Sequence, residues 1–293
     1  MISFKFPLII VTVTFALLPA CLHACPNPLP INGDIISPLG SSLTLCKKGN
    51  THFLFTGGVG IPIYASTDLV SWKLSGHVFQ IPTGAPWTAV YTGGDDMKLW
   101  APDCKVVDGV VRYFYAASTL GSRNSAIFYA YSFTGANGNW TNGGLVLSSS
   151  FTDHFNAIDP NLSVDPVPYL SFDSYWSGIK GVQLNPRTFL TLSATYDSLA
   201  FRNNGVEPEG APNSEEAPVV GNHGGFWYLF TSWNADQEDY QVHVARSTTY
   251  NGGYVGQAGV VALNNGGTLI LASHNSEDKT SSSIAMEPYA RVA

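Results

Sequence analysis

Charged side chains are scarce in this sequence, because Asp, Glu, Lys and Arg make up only 12% of the residues. The 14 basic side chains form no run that could follow a phosphate backbone, and the formal net charge is −7. This composition argues against a nucleic acid partner, which requires clustered cations. Beyond Leu18 no stretch of about 18 uninterrupted apolar residues occurs, so no membrane-spanning helix and no membrane partner are expected.

Several chemical motifs are also missing. The histidines show no metal-ligand spacing such as HExxH, and there is no glycine-rich phosphate loop and no serine nucleophile elbow. No window sustains apolar residues at i, i+3, i+4 and i+7 with capping residues, so helices are not expected. Cysteine is rare. If Cys21 leaves with a signal peptide, Cys25, Cys46 and Cys104 remain, at most one disulfide can form, and its pairing stays open.

The N-terminus has the order of a secretory signal peptide. Lys5 precedes an apolar run that ends at Leu18, followed by a small-residue stretch that ends at Ala24. We predict cleavage after Ala24 or Ala20 and a secreted, extracellular protein. The predicted boundaries are a signal peptide over residues 1–24 and a single domain over residues 25–293.

Two sequons fit a secreted chain, one at Asn139 and one at Asn161. Asn161 lies inside the polar motif NAIDPNL, where a glycan would crowd a site. We therefore favour Asn139 as the occupied position.

Aromatic-rich strand patterns recur roughly sixty residues apart. HFLFTGG begins at His52, VRYFYAAS at Val111, YLSFDSYW at Tyr169 and WYLFTSWN at Trp227. A second strand pattern follows each of them. Sets of antiparallel strands at such a period favour propeller blades over a single sandwich. The sequence therefore predicts an all-β fold with four legible blades.

Polar segments with carboxylates come just before the strong strands. LWAPD, NAIDP and SEEAP occupy this position in three blades, where equivalent segments of a propeller face the central axis. We expect Asp103, Asp159 and Glu216 to lie around one cavity. Two carboxylates across a sugar-sized cavity are what cleavage of a glycosidic bond requires.

The acid of such a pair has to stay protonated near neutral pH, which burial and a nearby negative charge promote. Glu216, with Asp159 close by, fits this role. Other interpretations stay open: Glu216 as a solvated loop acid, Glu215 as its exposed neighbour, and Asp159 as the start of a turn at Pro160. For Asp103 a structural turn role is favoured.

Aromatic residues reach 13% and suit neutral sugars, because aromatic faces stack on the apolar faces of sugar rings. Four aromatic residues are candidates either for the core between blades or for a sugar-binding site: Trp87, Trp100, Tyr175 and Trp176. We select Trp100 and Trp176 for substrate binding because they flank the carboxylate segments, together with Asn156 of the NAIDPNL motif.

Six motifs in one order resemble a known family: LWAPD, GSRNSAI, NAIDPNL, YWSGIKGVQLNP, EGAPNSEEAP and GGTLILASH. From about Cys46 to His274 the chain resembles the endo-1,5-α-L-arabinanases of glycoside hydrolase family 43, especially fungal ones. The resemblance implies a five-bladed β-propeller. It also implies inverting cleavage of internal α-1,5-L-arabinofuranosidic bonds in arabinan, the neutral side chain of pectin.

By this resemblance Glu216 is the general acid, Asp159 tunes the pKa of the acid and orients it, and Trp100 lines the substrate cleft. The general base of the family is an Asp in an HDPS-like motif, and alignment places Ser42 at that position. A serine hydroxyl has no anionic form at neutral pH and cannot replace the base, whose loss typically costs about 10²–10⁴ in rate. Asp34 could substitute only if the intervening loop folded back.

After His274 the chain is polar and ends at Ala293, too short for another blade, so a truncated fifth blade is expected. No cofactor is expected for the chemistry. Members of the family often hold a metal ion near the propeller axis. The ligands of such an ion are unknown in this chain, and His274 is a weak candidate. The expected partner is arabinan, and the expected state is a monomer. Three functions stay open: the endo-arabinanase, an impaired arabinan-binding propeller, and another family 43 arabinofuranosidase or xylosidase.

Overall fold

The computed structural model describes residues 30–35, 43–81, 83–95, 98–173, 175–202, 215–234 and 240–272. From Ile31 onward these residues belong to one compact unit. Within the described part the only α-helix is α1 (Ala89–Thr92), and two 3₁₀ turns span Pro86–Thr88 and Ala262–Asn264. No described helix has the length and apolarity needed to cross a membrane.

The strands form four antiparallel sheets, which we name blades I to IV. Blade I contains β1 (Asn32–Gly33), β2 (Leu43–Lys48), β3 (Thr51–Thr56), β4 (Pro62–Ser66) and β5 (Ser71–His77). Blade II contains β6 (Leu99–Val107), β7 (Val110–Ala117), β8 (Ser125–Ser132) and β9 (Trp140–Ser149). Blade III contains β10 (Asn161–Ser163), β11 (Tyr169–Phe172), β12 (Lys180–Gln183) and β13 (Asp197–Ser198). Blade IV contains β14 (Glu215–His223), β15 (Phe226–Trp233), β16 (Gln241–Ser247) and β17 (Thr268–Ala272).

This architecture confirms the predicted all-β propeller and its four legible blades. In each blade the strands pair in chain order, except that β1 adds to the outer edge of blade I, parallel to β5. The first strands of successive blades contact each other, from β2 to β6, β10 and β14. The predicted fifth blade does not lie within the described residues.

Alternation along the strands builds a core between each pair of neighbouring blades. On β7, Tyr113 and Tyr115 face blade I, whereas Phe114 between them faces blade III. Three apolar clusters result, between blades I and II, II and III, and III and IV. Trp87 belongs to the first cluster, with its indole Nε1 donating to the Tyr115 hydroxyl at 3.0 Å. Of the candidate sugar-stacking residues, Trp87 is therefore a core residue.

A disulfide joins the first strands of blades I and II. It links Cys46 on β2 with Cys104 on β6, at a Cα–Cα distance of 5.8 Å and a sequence separation of 58. This settles the pairing that the sequence left open.

Hydrogen bonds from backbone N–H groups to side-chain oxygens connect the next blades around the axis. The Asp103 Oδ2 accepts from the Leu162 amide at 2.6 Å, joining blades II and III. The Asn161 Oδ1 accepts from the Val220 amide at 2.9 Å, joining blades III and IV. Asp103 thus has the structural role that the sequence favoured. Asn161 is buried and engaged, whereas Asn139 is exposed, which agrees with Asn139 as the better glycan acceptor.

Candidate functional site

Three residues with positive φ mark equivalent points at the start of blades II, III and IV. Ala101, Asp159 and Ala217 have φ values of 44°, 54° and 52°. They lie 58 residues apart, and a proline follows each of them. At Ala101 and Ala217 the strand pairing also shifts register. Bulges of this kind redirect side chains and are frequent beside active sites.

Asp159 lies where blade III meets blade IV. Its Oδ2 accepts a hydrogen bond from the Ala217 amide at 3.1 Å, so the carboxyl group lies against the bulge of β14. Burial raises the pKa of Asp159 to about 7, and the bond from Ala217 opposes that shift. The structure thus places Asp159 directly beside the SEEAP segment, as the sequence predicted.

Glu216 is the residue before that bulge. It lies half-buried on β14, paired with Ser232 of β15, and not on a solvated loop. The Asp159 carboxyl accepts from the backbone N–H of Ala217, the residue that follows Glu216 in the chain. Asp159 and Glu216 therefore belong to one site. This arrangement provides a partly accessible carboxyl beside a carboxyl that holds its proton up to neutral pH.

Glu215 corrects one interpretation of the sequence, because it is not an exposed neighbour. Its side chain is only 3% exposed, and its Oε1 accepts from the Trp233 indole at 3.2 Å. Burial raises the pKa of Glu215 to about 7, while hydrogen bonds from Thr231 and Trp233 oppose the shift. Successive residues on a strand point to opposite faces of the sheet, so the side chains of Glu215 and Glu216 have different surroundings. Strand alternation was the signal that the sequence interpretation did not use.

The charged groups near Glu215 include Lys180 of blade III and Arg202. Burial lowers the pKa of Lys180, and the carboxylates of Asp173 and Glu215 oppose this. Trp233 stacks on His243 with ring centroids 3.5 Å apart, and the Arg202 guanidinium lies 4.5 Å from its ring. These contacts fix the indole that donates to Glu215, and with it the start of β14. No role for Lys180 or Asp173 is predicted from the sequence.

The predicted substrate contacts fall in two settings. Trp100 is half-buried on β6, and Trp176 is half-buried in the turn before β12 with the Arg123 guanidinium 4.2 Å from its ring. The Tyr175 amide donates to the Glu215 carbonyl at 3.0 Å, which places this turn against β14. Asn156, in contrast, is only 6% exposed, and its backbone N–H donates to Asp173 Oδ1 at 2.8 Å. Its backbone helps to position the NAIDP segment.

Blade I differs from the other blades at the equivalent position. Leu43 lies 58 residues before Ala101 and is therefore its counterpart in blade I, as Cys46 is the counterpart of Cys104. The described pairing of β2 with β3 has no register shift, so blade I lacks the bulge of blades II and IV there. Ser42, the expected position of the base, lies outside the described residues. Asp34 accepts from the Leu74 amide at 2.9 Å and is thereby held at the outer edge of blade I. The hypothesis that Asp34 reaches the site from a folded-back loop is therefore wrong.

Within the described ranges, no cluster of three or more His, Cys, Asp or Glu side chains could hold a metal ion. His274, the thin metal-ligand candidate, lies outside those ranges. The metal ion therefore stays a prediction without ligands.

Comparisons with known proteins agree on one family. The sequence model described as glycosyl hydrolases family 43 matches residues 35–282. A probable arabinan endo-1,5-alpha-L-arabinosidase C of Aspergillus niger is 36% identical, over 77% of this chain and 71% of that protein. The extracellular endo-alpha-(1->5)-L-arabinanase 1 of Bacillus subtilis is 31% identical, over 78% of this chain and 71% of that protein. The solved GH43 endo-arabinanase from Bacillus licheniformis superposes with a TM-score of 0.73 at 32% identity, covering 84% of each chain.

Proposed function

Because the chain belongs to glycosyl hydrolases family 43, we propose that it is a secreted enzyme that hydrolyses internal α-1,5-L-arabinofuranosidic bonds of arabinan with inversion. The observation that carries the proposal is the pairing of Asp159 with the Glu216 segment at the junction of blades III and IV. The relatives named arabinan endo-1,5-alpha-L-arabinosidase and endo-arabinanase support the substrate.

Glu216 is the proposed general acid, because it is the more accessible of the two adjacent glutamates and lies beside Asp159. Protonation of the leaving oxygen requires a carboxyl that keeps its proton near neutral pH. Asp159 is proposed to tune and orient this acid. Trp100 and Trp176 are proposed to contact the sugar. The Asn156 side chain is more buried than these two and is proposed to make the smallest contact with the sugar.

No residue is proposed here as the general base. Inversion needs a second carboxylate to activate water on the opposite face of the sugar. In blade I, strand β2 reads LTLCKK and contains no carboxylate. This observation favours one second candidate function: an arabinan-binding propeller with impaired catalysis.

A fifth blade between blades IV and I is also part of the proposal. On β14, β15 and β16 the cross-strand row Val219, Phe230 and Val244 is apolar but only half-buried. The row on the opposite face, which includes Leu229, packs against blade III and is buried. Blade I repeats this asymmetry, because the row on its free side ends at Leu74, which is 47% exposed. Apolar rows of this kind are typical of faces that pack against a further blade.

The experiment is digestion of debranched linear α-1,5-arabinan by the secreted protein, with Glu216→Gln as the control. We expect arabino-oligosaccharides before monosaccharide, a product of inverted configuration by NMR, and a loss of about 10²–10⁴-fold in the control. Monosaccharide from the start would indicate an exo-acting arabinofuranosidase instead.

No turnover by the folded protein, together with saturable arabinan binding, would favour the impaired propeller. Ser42→Asp and Leu43→Asp then test the base directly. Activity gained by either variant would show that the rest of the site is intact.

A further inference from the structure

A cavity lies away from the catalytic motifs, where blade II meets the loop after β12 of blade III. Its volume is about 330 Å³, within the range of small-molecule sites. The cavity is lined by residues at the β6–β7 turn end of blade II, including Val110 and Arg112. Arg112 pairs with Lys105, which is four residues beyond Ala101 on β6, a separation of ~13 Å along the strand. The cavity is therefore separate from the proposed active site.

Two arginines line this cavity, Arg112 and Arg187. The Arg112 guanidinium lies 3.7 Å from the Phe189 ring centroid and donates to the Tyr129 hydroxyl, whereas its Nε is buried without a hydrogen-bond partner. Among the described residues, no carboxylate lies within ion-pair distance of either arginine. In a chain with a net charge of −7, two unneutralised guanidinium groups in one cavity favour an anionic ligand.

Aromatic rings form the remaining wall. Tyr129 and Tyr131 are stacked with centroids 5.8 Å apart, and Phe133, which is 69% exposed, meets Tyr131 edge-on. Gly143 leaves the room for this wall, since a Cβ there would lie 2.2 Å from the Tyr129 ring. Tyr129 is buried behind this wall, whereas Phe133 is exposed enough to stack on the apolar face of a sugar ring.

We infer that this cavity binds a uronic acid residue of an acidic polysaccharide. The guanidinium groups match the planar carboxylate, and the aromatic wall matches the face of the sugar ring. A neutral arabinose lacks the carboxylate, so this ligand differs from the substrate of the proposed active site. Such a site would hold the protein on an acidic polymer while neutral chains are processed elsewhere.

The test is calorimetric titration of the full-length secreted protein with tetragalacturonate at low ionic strength. We expect saturable binding that weakens as salt is added, because the charges are partly exposed. The fully methyl-esterified tetramer should bind at least 5-fold more weakly, and acetate should not displace the acid. Equal binding of the ester, displacement by acetate, or no binding at all would overturn the inference.

Two variants, Arg187→Gln and Phe133→Ser, test whether the ligand binds in this cavity. Both side chains are exposed, so their replacement should leave the fold intact. Each should weaken tetragalacturonate binding at least 5-fold. Arg246→Gln is the matched control, since Arg246 is an exposed arginine that also lies over a phenylalanine ring, on blade IV. Binding by the Arg187 variant as tight as by the Arg246 control would reject the assignment. Because the readout is binding of an acidic probe, it stands whether or not arabinan is hydrolysed.

Discussion

At the level of single residues, two carboxyl groups with raised pKa values, Asp159 and Glu215, lie at the start of β14. Asp159 reaches the bulge of β14 from blade III, whereas Glu215 accepts from the Trp233 indole and lies near Lys180 and Arg202. Glu216 lies between these two environments. The chemistry proposed for Glu216 therefore depends on neighbours that the fold supplies.

Asp159→Asn tests the tuning role. Removal of this carboxyl group should lower kcat. The alkaline limb of the pH–rate profile should move to lower pH, because Asp159, which ionises at about pH 7, no longer opposes deprotonation of the acid above that pH. The measurement is initial arabinan hydrolysis between pH 4 and pH 9. An unchanged profile with reduced kcat would assign Asp159 to orientation alone.

Glu215 should make stability depend on pH. Its pKa is raised from 4.5 to about 7 in the folded state, so the folded state holds this proton more tightly than the unfolded chain. The contribution is fully present below about pH 4.5 and is lost as pH rises through about 7, to the order of 3 kcal/mol. Urea unfolding at pH 5 and pH 8 should therefore differ less for Glu215→Gln than for wild type. A pH slope that is identical in both proteins would contradict the assignment.

At the level of elements, the first strands of blades I to IV are joined by links of different chemistry. A disulfide joins β2 to β6, and side-chain oxygens of Asp103 and Asn161 join the next two junctions. These links keep adjacent strand starts in register around the axis. Because the proposed site spans two blades, its geometry depends on this register.

The double variant Cys46→Ser, Cys104→Ser should lose about 4 kcal/mol of unfolding free energy, from the entropy of closing a 58-residue loop. Urea unfolding under non-reducing conditions measures the loss. Reductant should destabilise wild type by a similar amount and leave the double variant unchanged. A double variant as stable as wild type would show that the blade interface alone holds this junction.

For the whole molecule, the half-buried apolar row of blade IV marks where a further blade would complete the ring. If such a blade covers the row that includes Val244, Val244→Asp should destabilise by about 2 kcal/mol, because a carboxylate is then buried in an apolar interface. Asn222→Asp, at an exposed position of the same blade, is the control and should stay within about 0.5 kcal/mol. Equal effects of the two substitutions in thermal unfolding would argue against a fifth blade.

Local patterns in the chain were sufficient for the strands and for the motifs at their starts. The predicted strand pairs match β3 and β4 in blade I and their counterparts in the other blades, because aromatic and β-branched residues fit the pleated, half-buried surface of a sheet. The motif around Asp159 was legible for a similar reason, since a short polar segment ending in proline breaks the strand pattern locally.

Other features depend on residues far apart in the chain, and only packing could select among them. The sequence allowed several cysteine pairings, and the contact of β2 with β6 selected Cys46 and Cys104. It did not show which of Glu215 and Glu216 is buried, because that depends on the Trp233 side of the sheet. The arginine-lined cavity arises from blades II and III together. Long-range contacts set burial, and burial sets the pKa values on which the proposed chemistry depends.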